Sequence, residues 1–553
     1  MSKGRGKLAW ETLSGRLWGQ GIEALRNSLG IREEESAMTD GPYLLGIDMG
    51  TGGARAGVFD LDGNELASVA TEWRTDFPRS GRAEQDPAEW WTCIVASVRA
   101  AVEKAGVAVD AIAGIGVDST SATVVAVDKN NNVLRPALLW MDVRAAAEAD
   151  ELARTGDSAL KYSGFGPVSA EWGGPKSMWI RKNEPEVFKE AAVIADCTDW
   201  LVNRLTGEWT MSVNHAACKY FYDADEGGWP VSLYETAGVA DILDKFPKTL
   251  LPLGAKVAGL SLSAANDLGL RRGTPVAEGC IDAYAGAIGL GVVEPGKMAL
   301  ITGSSHVMIG QSRTPLHAKG LWGSFTDAII PGEYTVEGGQ SSTGSVVAWF
   351  KNTLAPKAIQ IAKETGRDPY DVLNEEAARL PIGSDGLVLL DHFQGNRAPY
   401  SDARSRGVFW GLSLGHTENH LYRAIIEGIC FGTESIFQTM RDNGYPPEQI
   451  VVSGGPAKSE FWMQMHADVS NVPMIFTRNT EGPILGSAMM GGIAAGIFPD
   501  LPAAASSMVH TIKEIQPNAE AHEAYQYYYQ AYLDTYPAMK ALMNNMVRHL
   551  DGE

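Results

Sequence analysis

At 553 residues the chain exceeds the size at which one hydrophobic core keeps growing, so about two to four domains are expected. Its 45% hydrophobic and 20% charged residues belong to a chain that buries large cores and exclude disorder as its main state. With 46 basic against 67 acidic residues the net charge is −21, and no long Lys/Arg cluster interrupts that excess, which argues against nucleic acid or an anionic membrane as partner.

Cys93, Cys197, Cys218, Cys280 and Cys430 stand far apart with no CxxC pair, so buried thiols in a reducing compartment are the simplest reading. No apolar run approaches the roughly 20 residues that span a bilayer, and the amino terminus lacks the apolar core of a signal peptide. The cytoplasm is the expected location.

In chain order, residues 1–40 read as an extension outside the globular chain. Leu13, Leu17, Trp18, Ile22, Leu25 and Leu29 fall on one helical stripe, yet Gly15, Gly19 and Gly21 each weaken a helix by up to about 1 kcal/mol. Glu33-Glu34-Glu35 have purine-only codons shortly before Met38, the pattern of a ribosome-binding site read in frame, so the native chain is expected to begin at Met38.

From Tyr43 onward, strand-like stretches (LLGIDMG, ARAGVFD, GIGVDST, TVVAVD) alternate with helical ones such as PAEWWTCIVASVRAAVEKAG, in which Pro87 fits a first helical turn. This is an α/β pattern. Near Pro295 it restarts: KMALITGSSHVMIGQS is again strand, small-residue turn, strand, a weak duplication of the opening hairpin. The expected domains are therefore 41–294 and 295–553. A long helix follows, with Gly428 and Gly432 four apart and open to the close approach of another backbone. Val451-Val452 then form a buried strand that ends in Ser453-Gly454-Gly455 and opens onto a helix. The late run AYQYYYQAYLDTY reads as a packing stripe over the second domain rather than a partner-binding face.

Small residues at a strand end expose backbone N–H groups, and a turn of such groups forms a concavity for anions, phosphate above all. One such turn is weak evidence. Three in one chain, two of them in repeated hairpins, point to a nucleotide, although none matches GxxxxGK[ST] or a strand–GxGxxG–helix. By residue type alone, Asp48 is equally a metal ligand or a turn-initiating side chain. Asp282 is likewise either a helix N-cap or a general base.

Asp48-Met49-Gly50-Thr51 with Arg55, Gly279-Cys280-Ile281-Asp282-Ala283, Thr302-Gly303-Ser304-Ser305, Glu337-Gly338-Gly339-Gln340 and Ser453-Gly454-Gly455-Pro456 together resemble the site segments of the FGGY carbohydrate kinases, in the actin-like ATPase superfamily. The resemblance runs from Leu44 to about residue 540. It implies two ribonuclease-H-like domains flanking a catalytic cleft, with sugar held mainly by the first and ATP mainly by the second. It makes Asp282 the general base and places Mg²⁺ on Asp48 and Asp282. ATP and its phosphates would meet Gly50, Thr51, Gly52, Arg55, Thr302, Gly303, Ser304, Ser305, Gly344, Gly454, Gly455 and Ala457. Ser121, Trp140, Lys219, Asp282 and Glu337 would line the sugar site, with Trp140 an apolar wall. Read without the resemblance, Trp140 is equally a core residue, and Lys219 and Glu337 solvated charges.

Where glycerol kinases of the family carry an Arg-Glu pair and xylulokinases a Gln-Met-His run, this chain has Asp118-Ser119-Thr120-Ser121. Short hydroxyl side chains there resemble the ribulokinase-type branches. The expected substrate is a pentulose such as ribulose, phosphorylated on a primary hydroxyl, with erythritol or another four-carbon polyol or ketose as the alternative. Tyr284 departs from the family, in which histidine often follows the base. A noncatalytic sugar or nucleotide sensor of the same fold is the alternative of another class, but such a protein should have lost Asp48 or Asp282. The partner implied is a small-molecule sugar, with a homodimer left open. The start at Met38 is tested by the intact mass of protein expressed from its own gene; a mass that includes residues 1–37 contradicts it.

Overall fold

The computed structural model describes residues 41–551, so the amino-terminal extension and the expected start at Met38 lie outside the described residues. The first sheet contains β1 (Tyr43–Met49), β2 (Gly53–Phe59), β3 (Glu65–Glu72), β4 (Ile112–Ser119), β5 (Lys256–Gly259) and β6 (Pro275–Ala277), in the order β5-β6-β4-β1-β2-β3. β1 pairs antiparallel with β2 and parallel with β4, and the short strand Cys280–Ile281 also joins β4. All but one residue of β1 are buried, as expected of a central strand covered on both faces.

The second sheet repeats this plan. β7 (Lys297–Thr302) and β8 (His306–Ser312) form its hairpin, β9 (Trp322–Thr326) and β10 (Tyr334–Gln340) lie on one side, and β11 (Gln449–Gly454), β12 (Met474–Thr477) and β13 (Thr511–Ile515) on the other. The order is β9-β10-β8-β7-β11-β12-β13. Without the added edge strand β9, each half is a hairpin flanked by a third antiparallel strand on one side, with parallel strands and then an antiparallel one on the other. The repeat expected from the two hairpins is thus a repeat of topology, and its registers correspond: Asp48 sits opposite Asp118 in the first sheet, Thr302 opposite Gly454 in the second.

Helices cover both sheets. In the first half these include α1 (Pro87–Ala105), α2 (Gly173–Asn183), α3 (Val213–Tyr220) and α4 (Asp282–Gly289). The second half includes α5 (Gly344–Leu354), α6 (Glu418–Asp442), α7 (Glu460–Ser470), α8 (Gly482–Ala494) and α9 (Ala519–Asp551). α1 starts as its sequence requires: the Asp86 side chain accepts the Ala88 N–H, Pro87 occupies the first turn, and Gly106 ends the helix in the left-handed region.

The halves meet along a seam of glycines. α8 belongs to the second half by sequence yet lies on the first sheet. A Cβ added to Gly116 would stand 1.8 Å from the Ser487 carbonyl oxygen, and one on Gly46 2.0 Å from that of Ile484. α8 also meets α4 backbone to backbone: a Cβ on Gly486 would stand 2.0 Å from the Ala285 carbonyl oxygen, and one on Gly289 2.1 Å from that of Gly482. The core that includes Leu44, Cys280, Ile288, Ala299, Ile484 and Met489 runs through this seam, while separate cores fill the outer side of each half. We propose the domain boundary between residues 294 and 295, just before β7.

Gly428 admits the close approach its spacing implies, with the Leu389 carbonyl oxygen 2.6 Å from where its Cβ would be; Gly432 instead makes room for the side chains of Gln340 and Asp391. In α9, Tyr525, Tyr529, Tyr532 and Tyr536 are buried, and the first three pack against Phe431 of α6, so the aromatic run is a packing stripe. The five cysteines are buried and free. No described helix is long and apolar enough to cross a membrane. Gly116→Ala should cost at least about 1–3 kcal/mol of stability, because the atoms it meets are backbone and cannot swing aside. Thermal unfolding reads this directly, and an unchanged Tm contradicts the tight seam.

Candidate active site

Parallel pairing of β1 with β4 sets Asp48 beside Asp118, and the pairing of Cys280 with Asp118 brings Asp282 to the same sheet end. Asp118 is buried, and Ser487 Oγ of α8 donates to its Oδ2 at 2.5 Å. Burial, and then the charge of Asp48, push Asp118 well above the usual carboxylate range; burial also raises Asp48. Asp282, whose Oδ1 accepts the Ala283 N–H at 2.6 Å, is pushed up to about 7 by burial and then by Asp48. The Asp48 and Asp118 carboxyls bond one another side chain to side chain. Crowded carboxyls of this kind fit a cation. Mg²⁺, an ion that keeps waters and takes only one or two carboxylates, is one such cation.

A cavity of about 200 Å³ opens beside this cluster, with walls from both halves. Ser121, Trp140, Lys219, Asp282 and Glu337, drawn from five separate segments, all line it. Lys219 and Glu337 are buried and 3.6 Å apart, so neither is a solvated surface charge. Lys219 Nζ lies 5.8 Å from the Trp172 ring and 5.4 Å from the Trp322 ring, an aromatic setting that favours a cation. The Tyr284 hydroxyl donates to Glu337 Oε2 at 2.9 Å, so the residue that departs from the family is wired into this wall. Trp140 is more than an apolar wall: its indole N–H donates to Thr51 Oγ1 at 2.9 Å and ties the cavity to the first hairpin.

One expectation needs correcting. Ser119 faces the core, where its Oγ bonds Thr198 and lies 3.0 Å from Cys197 Sγ; strand alternation turns it away from the cavity, and only Thr120 and Ser121 of that run line it. The sequence reading passed over Glu171, Trp172, Trp322 and Arg397, which also line the cavity. No local signal separates them from ordinary core and loop residues. It also gave Asp118 no acid role, although GIGVDS ends an apolar strand in aspartate just as LLGID does.

A second cavity, of about 610 Å³, lies wholly in the second half. Gly303, Ser304, Gly344 and Gly455 line it, with Lys458 and Trp462. The start of α5 is bound to the turn of the second hairpin: Gly344 N–H donates to the Gly303 carbonyl at 3.2 Å and Ser345 N–H to the Ser304 carbonyl at 3.1 Å. Gly454 adopts φ 95°, and a Cβ there would stand 1.8 Å from the Thr302 carbonyl oxygen.

The other residues expected at phosphate lie as follows. Thr302 Oγ1 donates to the Ser453 carbonyl at 2.5 Å and braces the turn. Ser305 and Thr51 line the smaller cavity. Ala457 packs toward the second-half core, Gly50 N–H closes the first hairpin on the Gly53 carbonyl, and a Cβ on Gly52 would meet nothing within 4 Å. Arg55 pairs with Glu481 at the foot of α8 and lines neither cavity. The turn at residues 303–305 is therefore the partition: two of its residues face one cavity and the third faces the other.

An acid cluster beside a small cavity of aromatic and charged side chains, separated by a small-residue turn from a larger cavity, fits a phosphotransferase that moves a phosphoryl group from a nucleotide to a small acceptor. The FGGY family of carbohydrate kinases matches with its N-terminal domain over residues 43–289 and with its C-terminal domain over residues 298–495. The chain belongs to this family and is an ATP-dependent carbohydrate kinase. It is 32% identical over 527 residues to a ribulokinase of Shouchella clausii, covering 89% of this chain and 94% of that one. It is 30% identical over 544 residues to the FGGY carbohydrate kinase domain-containing protein of Homo sapiens, covering 91% and 98%. The crystal structure of xylulose kinase from Rhodospirillum rubrum superposes with a TM-score of 0.81 at 28% identity, covering 91% of this chain and 99% of that one.

Removing the Tyr284 hydroxyl frees Glu337 from its donor while leaving the ring in place. Tyr284→Phe should therefore lower kcat/KM for the sugar about 3- to 10-fold, the scale of one hydrogen bond, with KM for ATP unchanged. Steady-state kinetics in both substrates check this; an equal change in both KM values counts against a role confined to the smaller cavity.

Proposed function

We propose that the protein transfers the γ-phosphoryl group of ATP to a primary hydroxyl of a pentulose such as ribulose, with a four-carbon polyol or ketose such as erythritol as the nearest rival. The observation that carries this reading is the convergence of Ser121, Trp140, Lys219, Asp282 and Glu337 on one cavity, walled off from the larger one by the turn at residues 303–305. At about 200 Å³ that cavity is smaller than the roughly 300–1,000 Å³ of drug-sized sites, and it suits a ligand of few heavy atoms. Thr120 and Ser121 offer short hydroxyls, and Lys219 with Glu337 offers a donor and an acceptor to the keto oxygen and hydroxyls. Ribulokinases among the relatives support the pentulose assignment. The buried free thiols support the cytoplasm as the site of action.

Phosphoryl transfer runs through a loose transition state, so the protein's work is positioning and charge stabilisation. The acceptor hydroxyl, placed against Asp282, gives its proton to that carboxylate as its oxygen bonds to the γ-phosphorus, and ADP leaves with the electrons of the broken P–O bond. The small-residue turn at residues 303–305 would close on the phosphates from the second half. Mg²⁺ would be held by Asp48 and Asp282, and when bound it neutralises phosphate charge. A base held near 7 is well matched to neutral pH, since about half of it is ionised and it is still basic enough to take a proton.

Several outcomes follow. Asp282→Asn keeps the shape and removes the base, so sugar and ATP binding should persist while kcat falls by about 10²–10⁴; near-normal kcat rejects the assignment. Because Asp282 acts only when deprotonated, kcat/KM should rise as pH increases through about 7 and level off above it, and a flat profile between pH 6 and 8 would sink this role. Asp48→Ala should raise the Mg²⁺ concentration needed for half-maximal rate or abolish activity, and unchanged metal dependence argues against metal there. The substrate is tested by comparing kcat/KM, from coupled ADP release, for pentuloses, tetritols, tetruloses, xylulose and glycerol. A pentulose should lead, and a wide lead for glycerol or xylulose overturns the substrate reading.

A further inference from the structure

We propose that Lys176, on α2, is a positioning residue for the acceptor site, an internal cation that sets the backbone carrying Ser121 and Trp140. The inference rests on the reading of the smaller cavity as the sugar site. Lys176 is fully buried, within the otherwise small and apolar run GGPKSMWI. Its Nζ donates to three backbone carbonyl oxygens: Ala122 at 2.9 Å, Leu139 at 2.5 Å and Trp140 at 3.0 Å. An ammonium has three N–H donors, and here each has an acceptor. Burial pushes its ammonium down to about 7, and the charges of Glu171, Asp142 and Asp196 act against that shift. Burying a charge is costly unless it is fully bonded, so a residue serving only to fill space here would be methionine or leucine.

The three carbonyls belong to two segments that nothing in the sequence joins. Ala122 follows Ser121 directly and sits at φ 48°, a left-handed conformation unfavourable for alanine that needs outside support. Leu139 and Trp140 end the strand-like stretch across from it. The segments are also laced on the near side, where Thr120 Oγ1 lies 2.9 Å from Thr123 Oγ1 and the Trp140 N–H donates to Thr123 Oγ1 at 3.1 Å. Lys176 holds the far side, Ser121 and Trp140 face the sugar, and Trp140 passes the arrangement on to Thr51. The lysine touches neither substrate. Its effect should fall on acceptor binding and leave the nucleotide cavity of the other half alone.

The test compares wild type, Lys176→Met and Lys176→Gln in steady-state kinetics for ATP and for ribulose, or for whichever panel sugar has the higher kcat/KM, so the tether stays testable if the pentulose assignment fails. Lys176→Met should raise the sugar KM about tenfold or more with kcat within about threefold and the ATP KM within about twofold, since three charge-assisted bonds are lost. Lys176→Gln retains two N–H donors and should give a smaller rise, a grading that simple loosening of the fold would not produce. It decides the matter if Lys176→Met does not accumulate as folded protein. A sugar KM within about twofold of wild type, or sugar and ATP KM values rising together, overturns the proposal. Failure of both variants to fold overturns it in favour of a purely structural lysine.

Discussion

The site depends on a backbone-to-backbone contact. α8 leaves the second half, crosses the seam and lies on the first sheet so closely that Gly46 and Gly116 have no room for a side chain, while Gly486 and Gly289 do the same between α8 and α4. Contacts between backbones cannot be retuned by rotamer changes, so the two sheets are joined through a rigid element whose near-continuous burial also places it in the central core. Two polar contacts tie it to the first half directly: Ser487 of α8 holds Asp118, and Glu481 at its foot pairs with Arg55. α4, its partner in the seam, begins with Asp282. Asp282 and its acidic neighbours are therefore anchored on the same joint that relates the two halves.

Corresponding strand ends of the two sheets have diverged in chemistry. In the first sheet the register pairs Asp48 with Asp118; in the second the same register pairs Thr302 with Gly454. One end gathers carboxylates, the other small residues that leave room for an anion. Placed across a cleft, an acidic end and a small-residue end suit complementary work on a phosphoryl group, the first fitted to a cation and a proton, the second to phosphate oxygens. A duplicated fold supplies both, because one topology delivers two strand ends to the same place.

How much of this was legible in the sequence depended on range. The hairpins, the α/β alternation, α1 with its proline and glycine ends, and the packing role of the C-terminal tyrosines were readable because each rests on spacing within about one element. Five residues that line the smaller cavity were legible through motif resemblance, and the geometry brings them together, but their local orientation was not. Ser119 turned inward because strands alternate, and the exact bounds of the pleat decide which hydroxyls of Ser119-Thr120-Ser121 face out. That Arg55 pairs with Glu481, more than 400 residues away, could not be read from the sequence. Arg397 and Trp322 lie in loop and edge-strand contexts that carry no periodic signal. Lys176 was invisible for the same reason: its acceptors are backbone carbonyls, which no sequence pattern reports.

The central claim is a division of labour, with acceptor on the first half's strand ends and nucleotide on the second half's turns. Amide hydrogen exchange under saturating sugar and, separately, a non-hydrolysable ATP analogue measures it most directly. The account predicts two footprints: sugar protects the backbone around Thr120–Ser121, Trp140 and Lys219, and the analogue protects that around Gly303–Ser304, the start of α5 and Gly455–Trp462. Protection of the first set by the nucleotide analogue alone, with none in the second, would contradict it.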